Sequence, residues 1–337
     1  MLSRVFHGWE RRLAAAATDR VVRPFEWGID WLHDGEASAQ ASDAEQLERW
    51  AATMLAESDR FYELKPCADY ELRGDRLTFP SAVRTPHPEN NVARARFFPS
   101  ASPQGRRRAV VVLPQWNADA AGHVGLCQLL NRFGITALRL SLPYHDERRP
   151  PELRRADYIV SANIGRTAQV CRQAVLDARR AIAWLHEQGY TSIGILGTSL
   201  GSCLSMLTAA HEPLIKAMAL NHISPYFADV VWEGLSTAHV RDGLEGHIEL
   251  EQLRRIWLPI SPFPYLERVR NKAVLLIYAR YDLTFPVDLS RRLVDDFRQR
   301  GLPHEVAVLP CGHYSTNSVP FKFMDGYMLT RFLRKHL

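Results

Sequence analysis

Short runs of consecutive apolar residues recur along most of this chain, separated by longer stretches whose apolar positions recur at helical spacing. Ala109 to Pro114 (AVVVLP), Ile135 to Leu142, Ile193 to Leu196, Lys216 to His222, Val274 to Tyr278 and Val306 to Leu309 read as strands. Ala121 to Phe133, stopped by Gly134, and Ala162 to Gln188, ended by Gly189, read as helices. Strands that are apolar throughout are buried on both faces, so this alternation predicts a mostly parallel sheet with helices on both sides. Upstream, Asp69 to Phe98 carries shorter strand-like pieces between turn signals and predicts antiparallel edge strands. Residues 1–64 read as helical, with an Ala/Glu/Gln-rich stretch at 37–60.

Two stretches interrupt the alternation, Pro143 to Ser161 and the Trp- and Pro-containing 224–272. Both leave the carboxyl ends of strands, where open α/β sheets form their ligand crevices, and the second is long enough for a lid. No repeat or low-complexity linker divides the chain. The expected organisation is a helical N-terminal extension, 1–68, and one main domain, 69–337, with an insertion at 224–272.

Composition narrows the class. With 46% hydrophobic and 23% charged residues and a net charge of +5, the chain reads as a globular protein with a large core. The positive surplus is dispersed; its tightest run, Arg106-Arg107-Arg108, enters a strand and reads as solvated, so no nucleic-acid partner is expected. Five cysteines show neither a CxxC pair nor zinc-ligand spacing, which predicts reduced thiols, a cytoplasmic protein and no metal. Near the N-terminus, Leu13 to Ala17 is an apolar run of five. A secretory core needs roughly 7–15 residues and a bilayer span roughly 20, so a retained segment is expected. Its basic and aromatic residues (Arg4, Phe6, Trp9, Arg11, Arg12, Phe25, Trp27, Trp31) leave two readings, docking on the body or peripheral membrane contact through residues 1–31.

The candidate chemistry centres on Gly197-Thr198-Ser199-Leu200-Gly201, between the strand ending at Leu196 and an Ala- and Leu-rich helix. A G-x-S-x-G turn in that context lifts the serine hydroxyl out of the sheet, and the small residues let the turn close. A serine at its own pKa is a poor nucleophile and needs a base, which a third group must orient. Asp282, in Tyr278-Ala279-Arg280-Tyr281-Asp282, and His313, in Leu309-Pro310-Cys311-Gly312-His313, both follow strands, in the order serine, acid, histidine. Asp288 is a rival acid at the start of the next helix, where an acidic residue is stabilising in any case. Leu200 supplies one oxyanion N–H; Gln115 or Trp116, after the strand ending at Pro114, supplies the other, with Gln115 favoured. His222, Tyr144, His145 and Trp232 are candidates for the substrate pocket.

The elbow, the acid and histidine loops and the strand order resemble the α/β-hydrolase superfamily over roughly residues 70–337. The extension, Pro143-Tyr144-His145-x-x-Arg148-x-Pro150 and Leu309-Pro310-Cys311-Gly312-His313 look similar to an abhydrolase group near the dienelactone-hydrolase and prolyl-oligopeptidase-like branches. Gln115-Trp116 departs from the His-Gly oxyanion loops of many lipases, and the cysteine nucleophile of dienelactone hydrolases is absent. The resemblance implies the α/β-hydrolase fold and a cofactor-free serine hydrolase acting on a small-molecule acyl ester or lipid. Peptidase, amidase, acyltransferase and non-catalytic binding protein remain as alternatives. Trp232, Trp257, Phe263 and Tyr265 in the insertion either wall an acyl pocket or pack the insertion onto the body.

Overall fold

The computed structural model describes residues 2–32, 41–101 and 107–337; residues 37–40 of the Ala/Glu/Gln-rich stretch and Arg106 lie outside them. A nine-stranded sheet runs in the order β1-β2-β3-β5-β4-β6-β7-β8-β9. Strands β1 (Glu71–Arg73), β2 (Arg76–Pro80) and β3 (Val92–Phe98) pair antiparallel. Antiparallel pairing of β3 with β5 (Thr136–Leu140) attaches them to a parallel set completed by β4 (Arg108–Leu113), β6 (Ser192–Thr198), β7 (Ile215–Asn221), β8 (Ala273–Ala279) and β9 (Glu305–Leu309). The period of two along β4 explains why every residue after Arg108 is apolar: Val111 and Leu113 join one core and Val110 and Val112 the other.

Helices α4 (Val124–Arg132), α5 (Ile164–Glu187), α6 (Leu200–His211), α10 (Val287–Gln299) and α11 (Phe321–His336) cover the faces, numbered after α1 (Leu2–Ala15), α2 (Asp43–Ala56) and α3 (Ser58–Phe61) of the extension. Between β7 and β8 lie α7 (Phe227–Glu233), α8 (Ala238–Leu244) and α9 (Leu250–Ile256). From β4 the chain moves to β5 on one side; from β6 it moves to β7 on the other. Adjacent strands whose connections diverge open a crevice at their carboxyl ends, here beside Leu113 and Gly197, which are register partners.

The extension is less helical than expected. Residues 17–28 form an extended strap, tied to the body where Glu26 N donates to Ala162 O at 3.1 Å and Ile164 N to Glu26 O at 3.0 Å. Pro24 supplies no N–H for a helix there, and Gly28 sits at φ 67° against Asn163 and Gly165, where a side chain would overlap both. No described helix is long and apolar enough to cross a membrane.

Candidate active site

Ser199 adopts φ 57° and ψ −121°, a conformation that strains a non-glycine residue. Neighbouring contacts fix it: Ser199 N donates to Asn221 O at 2.8 Å, and α6 starts at the next residue. Both elbow glycines are required by close approach. A Cβ on Gly201 would overlap the carbonyls of Leu113 and Pro114, and one on Gly197 would overlap Gly201 and Ser205. The turn therefore presses the start of α6 against the end of β4.

Asp282 lies in the loop after β8, buried, its carboxylate held from four directions. Oδ1 accepts from Thr284 N at 2.8 Å and Phe285 N at 2.7 Å. Oδ2 accepts from His313 Nδ1 at 3.0 Å and His222 Nδ1 at 2.8 Å. Burial works to raise the Asp282 pKa, but the His313 charge and the hydrogen bonds from both imidazoles outweigh it and hold the carboxyl well below its usual range. An ionised carboxylate can only accept, so His313 carries its proton on Nδ1 and leaves the Nε2 lone pair free. The His313 ring is fixed by stacking on Phe285, centroids 5.5 Å apart and 3° from parallel. His222, at φ 57° at the end of β7, is thus a second imidazole on the acid as well as a cavity residue; its Nε2 lies 3.3 Å from Thr316 Oγ1.

Ser199, His222 and His313 line a cavity of about 720 Å³. Gln115, Trp116 and Leu200 line it too. Leu200 N, first in α6, has no intrahelical acceptor. Neither Gln115 N nor Trp116 N bonds to another described residue, whereas Asn117 N is taken by His145 Nε2 at 2.9 Å. Among the described residues the ligand atoms of His222, Asp282 and His313 converge within 4.8 Å, the one such group with metal-ligating side chains. The Nδ1–H···Oδ2 hydrogen bonds account for that convergence.

Three pocket expectations are corrected. His145 is buried away from the cavity; its Nδ1 donates to Pro143 O at 2.9 Å, so Nε2 is the acceptor that shapes the Gln115–Asn117 loop. Burial lowers its pKa to about 4, which keeps it in that neutral form. Tyr144 is also buried outside the cavity, with its hydroxyl 3.0 Å from His87 Nδ1. Trp232 packs against the core, because α7 turns Phe227, Val230 and Val231 to the cavity instead. Trp257 and Tyr265 likewise pack the insertion onto the body, Trp257 Nε1 donating to Ile164 O at 3.1 Å. Asp288 stays at the first turn of α10, where its exposed carboxylate pairs with Arg291 at 3.4 Å.

One residue at the site carried no sequence signal. Glu10 of α1 is fully buried against the loop that follows His313. Its Oε2 accepts from Tyr314 N at 2.8 Å, and its Oε1 from Ser315 N at 2.9 Å and Ser315 Oγ at 2.7 Å. Glu10 fills the space where a Gly312 side chain would be. Four residues earlier, Phe6 stacks on Tyr281 beside Asp282, centroids 4.5 Å apart. One helix therefore braces both the acid and the histidine loops.

No protein-family model and no curated protein matches the chain. Solved structures do. Acylaminoacyl peptidase of Pyrococcus horikoshii superposes with a TM-score of 0.62 at 16% identity, over 83% of this chain, which spans 43% of the peptidase. Acetyl xylan esterase 1 of Thermoanaerobacterium sp. gives 0.61 at 14% identity, over 91% of this chain and 98% of the esterase. An acetyl xylan esterase of Paenibacillus sp. gives 0.60 at 14% identity, covering 92% and 99%. With its mixed nine-stranded sheet, the serine turn between β6 and α6, and these neighbours, the chain has the α/β-hydrolase fold.

Proposed function

We propose that this protein is a serine hydrolase that cleaves an ester-type acyl bond. The observation that carries the proposal is the strained Ser199 turn lining the same cavity as a histidine whose Nδ1 is held by a buried, ionised aspartate. Ser199 Oγ attacks the carbonyl as His313 Nε2 takes its proton. Leu200 N and Gln115 N donate to the oxyanion. His313 then protonates the leaving group, and water attacks the acyl-enzyme by the same route in reverse. Asp282 holds the imidazole in its Nδ1–H tautomer throughout. The chemistry calls for no cofactor.

Ester cleavage is favoured over peptide cleavage because the two acetyl xylan esterases match this chain over almost their whole length, while more than half of the peptidase has no counterpart here. An apolar wall from Tyr226, Phe227, Val230 and Phe285 fits an acyl chain. Fluorophosphonate labelling is the test. The native protein labels rapidly, Ser199→Ala not at all, and His313→Ala and Asp282→Asn at least about a hundredfold more slowly. A folded native protein that stays unlabelled overturns the reading.

A further inference from the structure

The cavity wall between the Gln115-Trp116 loop and the His313 loop holds two guanidinium groups from segments far apart in sequence. Arg20, in the strap after α1, donates from Nη2 to Tyr314 Oη at 2.9 Å. Arg155, in the segment between β5 and α5, lies over the Trp116 ring, 5.4 Å from its centroid, and donates to Asp19 Oδ1 at 2.8 Å. Both line the cavity, and each flanks a residue adjacent to the reaction centre.

Their counter-ions do not balance. Asp157 pairs with Arg23 at 3.0 Å and Arg155 at 3.5 Å, and Asp19 pairs with Arg155, so two carboxylates serve two of the three arginines. Among the described residues Arg20 has no carboxylate within 4.0 Å, and its Nε is out of contact with solvent and without a hydrogen-bond acceptor. A partly buried guanidinium with no carboxylate in contact is a ready partner for an anion, because an oxyanion that accepts its N–H groups gains charge-assisted hydrogen bonds. Elsewhere among the described lining residues are Arg132 and Lys322, against a single acid, Asp325.

We infer that the substrate is an ester bearing an anionic group, carboxylate or phosphate, which binds Arg20 and the Tyr314 hydroxyl beside Arg155 while its acyl carbonyl lies at Ser199. The inference rests on the serine-hydrolase reading for the position of the scissile bond. The anion site stands on the charge distribution alone.

Two matched ester pairs test it: 4-nitrophenyl butyrate with mono-4-nitrophenyl succinate, and 1-butyrylglycerol with 1-butyrylglycerol 3-phosphate. The first pair probes a carboxylate on the acyl side, the second a phosphate on the leaving group. In at least one pair the anionic member has a kcat/KM about tenfold higher or more. Arg20→Gln lowers that ratio about tenfold, mainly through KM, and Arg20→Lys restores part of it. Equal turnover in both pairs, or a preference that survives in Arg20→Gln, overturns the proposal. Calorimetric titration of Ser199→Ala with monomethyl succinate and glycerol 3-phosphate separates it from the hydrolase reading. Binding of either anion that is lost in the Ser199→Ala, Arg20→Gln protein supports the anion site even if the native protein resists fluorophosphonate; labelling without Arg20-dependent binding or preference leaves the hydrolase standing and removes the site.

Discussion

The N-terminal segment and the insertion between β7 and β8 both reach the cavity, the first with a charged side chain and the second with uncharged, largely apolar ones. Helix α1 and the strap deliver polar groups: Glu10 to the backbone after His313, Arg20 to Tyr314. The insertion delivers mainly uncharged surface, the apolar Phe227, Val230 and Val231 beside the hydroxyls of Ser224, Ser236 and Thr237, and is anchored by buried Trp257, Ile256 and Leu253. Polar contacts are directional, so losing one acceptor leaves specific donors stranded. Apolar contacts are roughly additive in area, so the wall tolerates exchange and changes shape rather than failing. The N-terminal segment should therefore govern whether the site works, and the insertion what it accepts.

Removing Glu10 should produce the largest effect. Glu10→Ala strands two backbone N–H groups and the Ser315 hydroxyl, a loss of about 2–4 kcal/mol in stability. Labelling by fluorophosphonate slows at least about tenfold as the histidine loop relaxes. Glu10→Gln keeps one acceptor and should fall between. Labelling of Glu10→Ala at the native rate, with a lowered melting temperature, would reduce α1 to a stabilising strut.

Asp325 sharpens the contrast from inside the cavity. Burial raises its pKa to about 6, against the pull of the His222 charge and the Asn221 hydrogen bond. The folded state then holds the proton more tightly than the unfolded one, so this residue's contribution to stability is full below about pH 4 and is lost as pH rises through about 6. Asp325→Asn should gain about 1–2 kcal/mol over the native protein at pH 7.5 and nothing at pH 4, read from urea unfolding at both pH values. An equal difference at both would mean that the carboxyl does not titrate this way.

A smaller change is expected in the insertion. Val230→Trp, by filling the apolar wall, should lower kcat/KM for long acyl esters about tenfold relative to acetyl esters, with the labelling rate changed less than about threefold. A uniform loss across chain lengths would show that α7 supports the Asp282 and His313 loops instead. The smallest effect belongs to the outer face of α1, where Leu2 is 67% and Val5 60% exposed. Leu2→Ser with Val5→Ser should leave stability within about 0.5 kcal/mol. Its effect on pelleting with anionic vesicles decides whether the exposed side meets lipid.

The residues legible beforehand share one property: their signals are local. A G-x-S-x-G after an apolar strand, and an acid and a histidine each just past a strand, can be read within about ten residues, and a parallel sheet then brings strand ends to one rim. Tyr144 and His145 carry no local signal of burial, because their polar, loop-like segment leaves the carboxyl end of a strand, where crevices form. It folds inward instead, around the buried pair of Arg148 and Asp177 at 2.8 Å, and His145 shapes the Gln115 loop from behind. For the aromatics of the insertion the sequence leaves two readings, pocket wall or packing onto the body, and the structure gives Trp257 and Tyr265 to the second, with Trp232, the pocket candidate among them, also packed against the core.

The sequence by itself determined the parallel sheet, the serine turn and the strand-end loops that carry Asp282 and His313, because periodicity and turn chemistry act over a few neighbouring residues. Only the tertiary structure decided that His222 shares the carboxylate of Asp282, that Glu10 braces a loop about 300 residues away in sequence, and that Arg20 lines the cavity with no carboxylate within 4.0 Å among the described residues. Each is a long-range polar contact between single side chains. Such contacts depend on where the chain returns in space, and no spacing along the sequence encodes them.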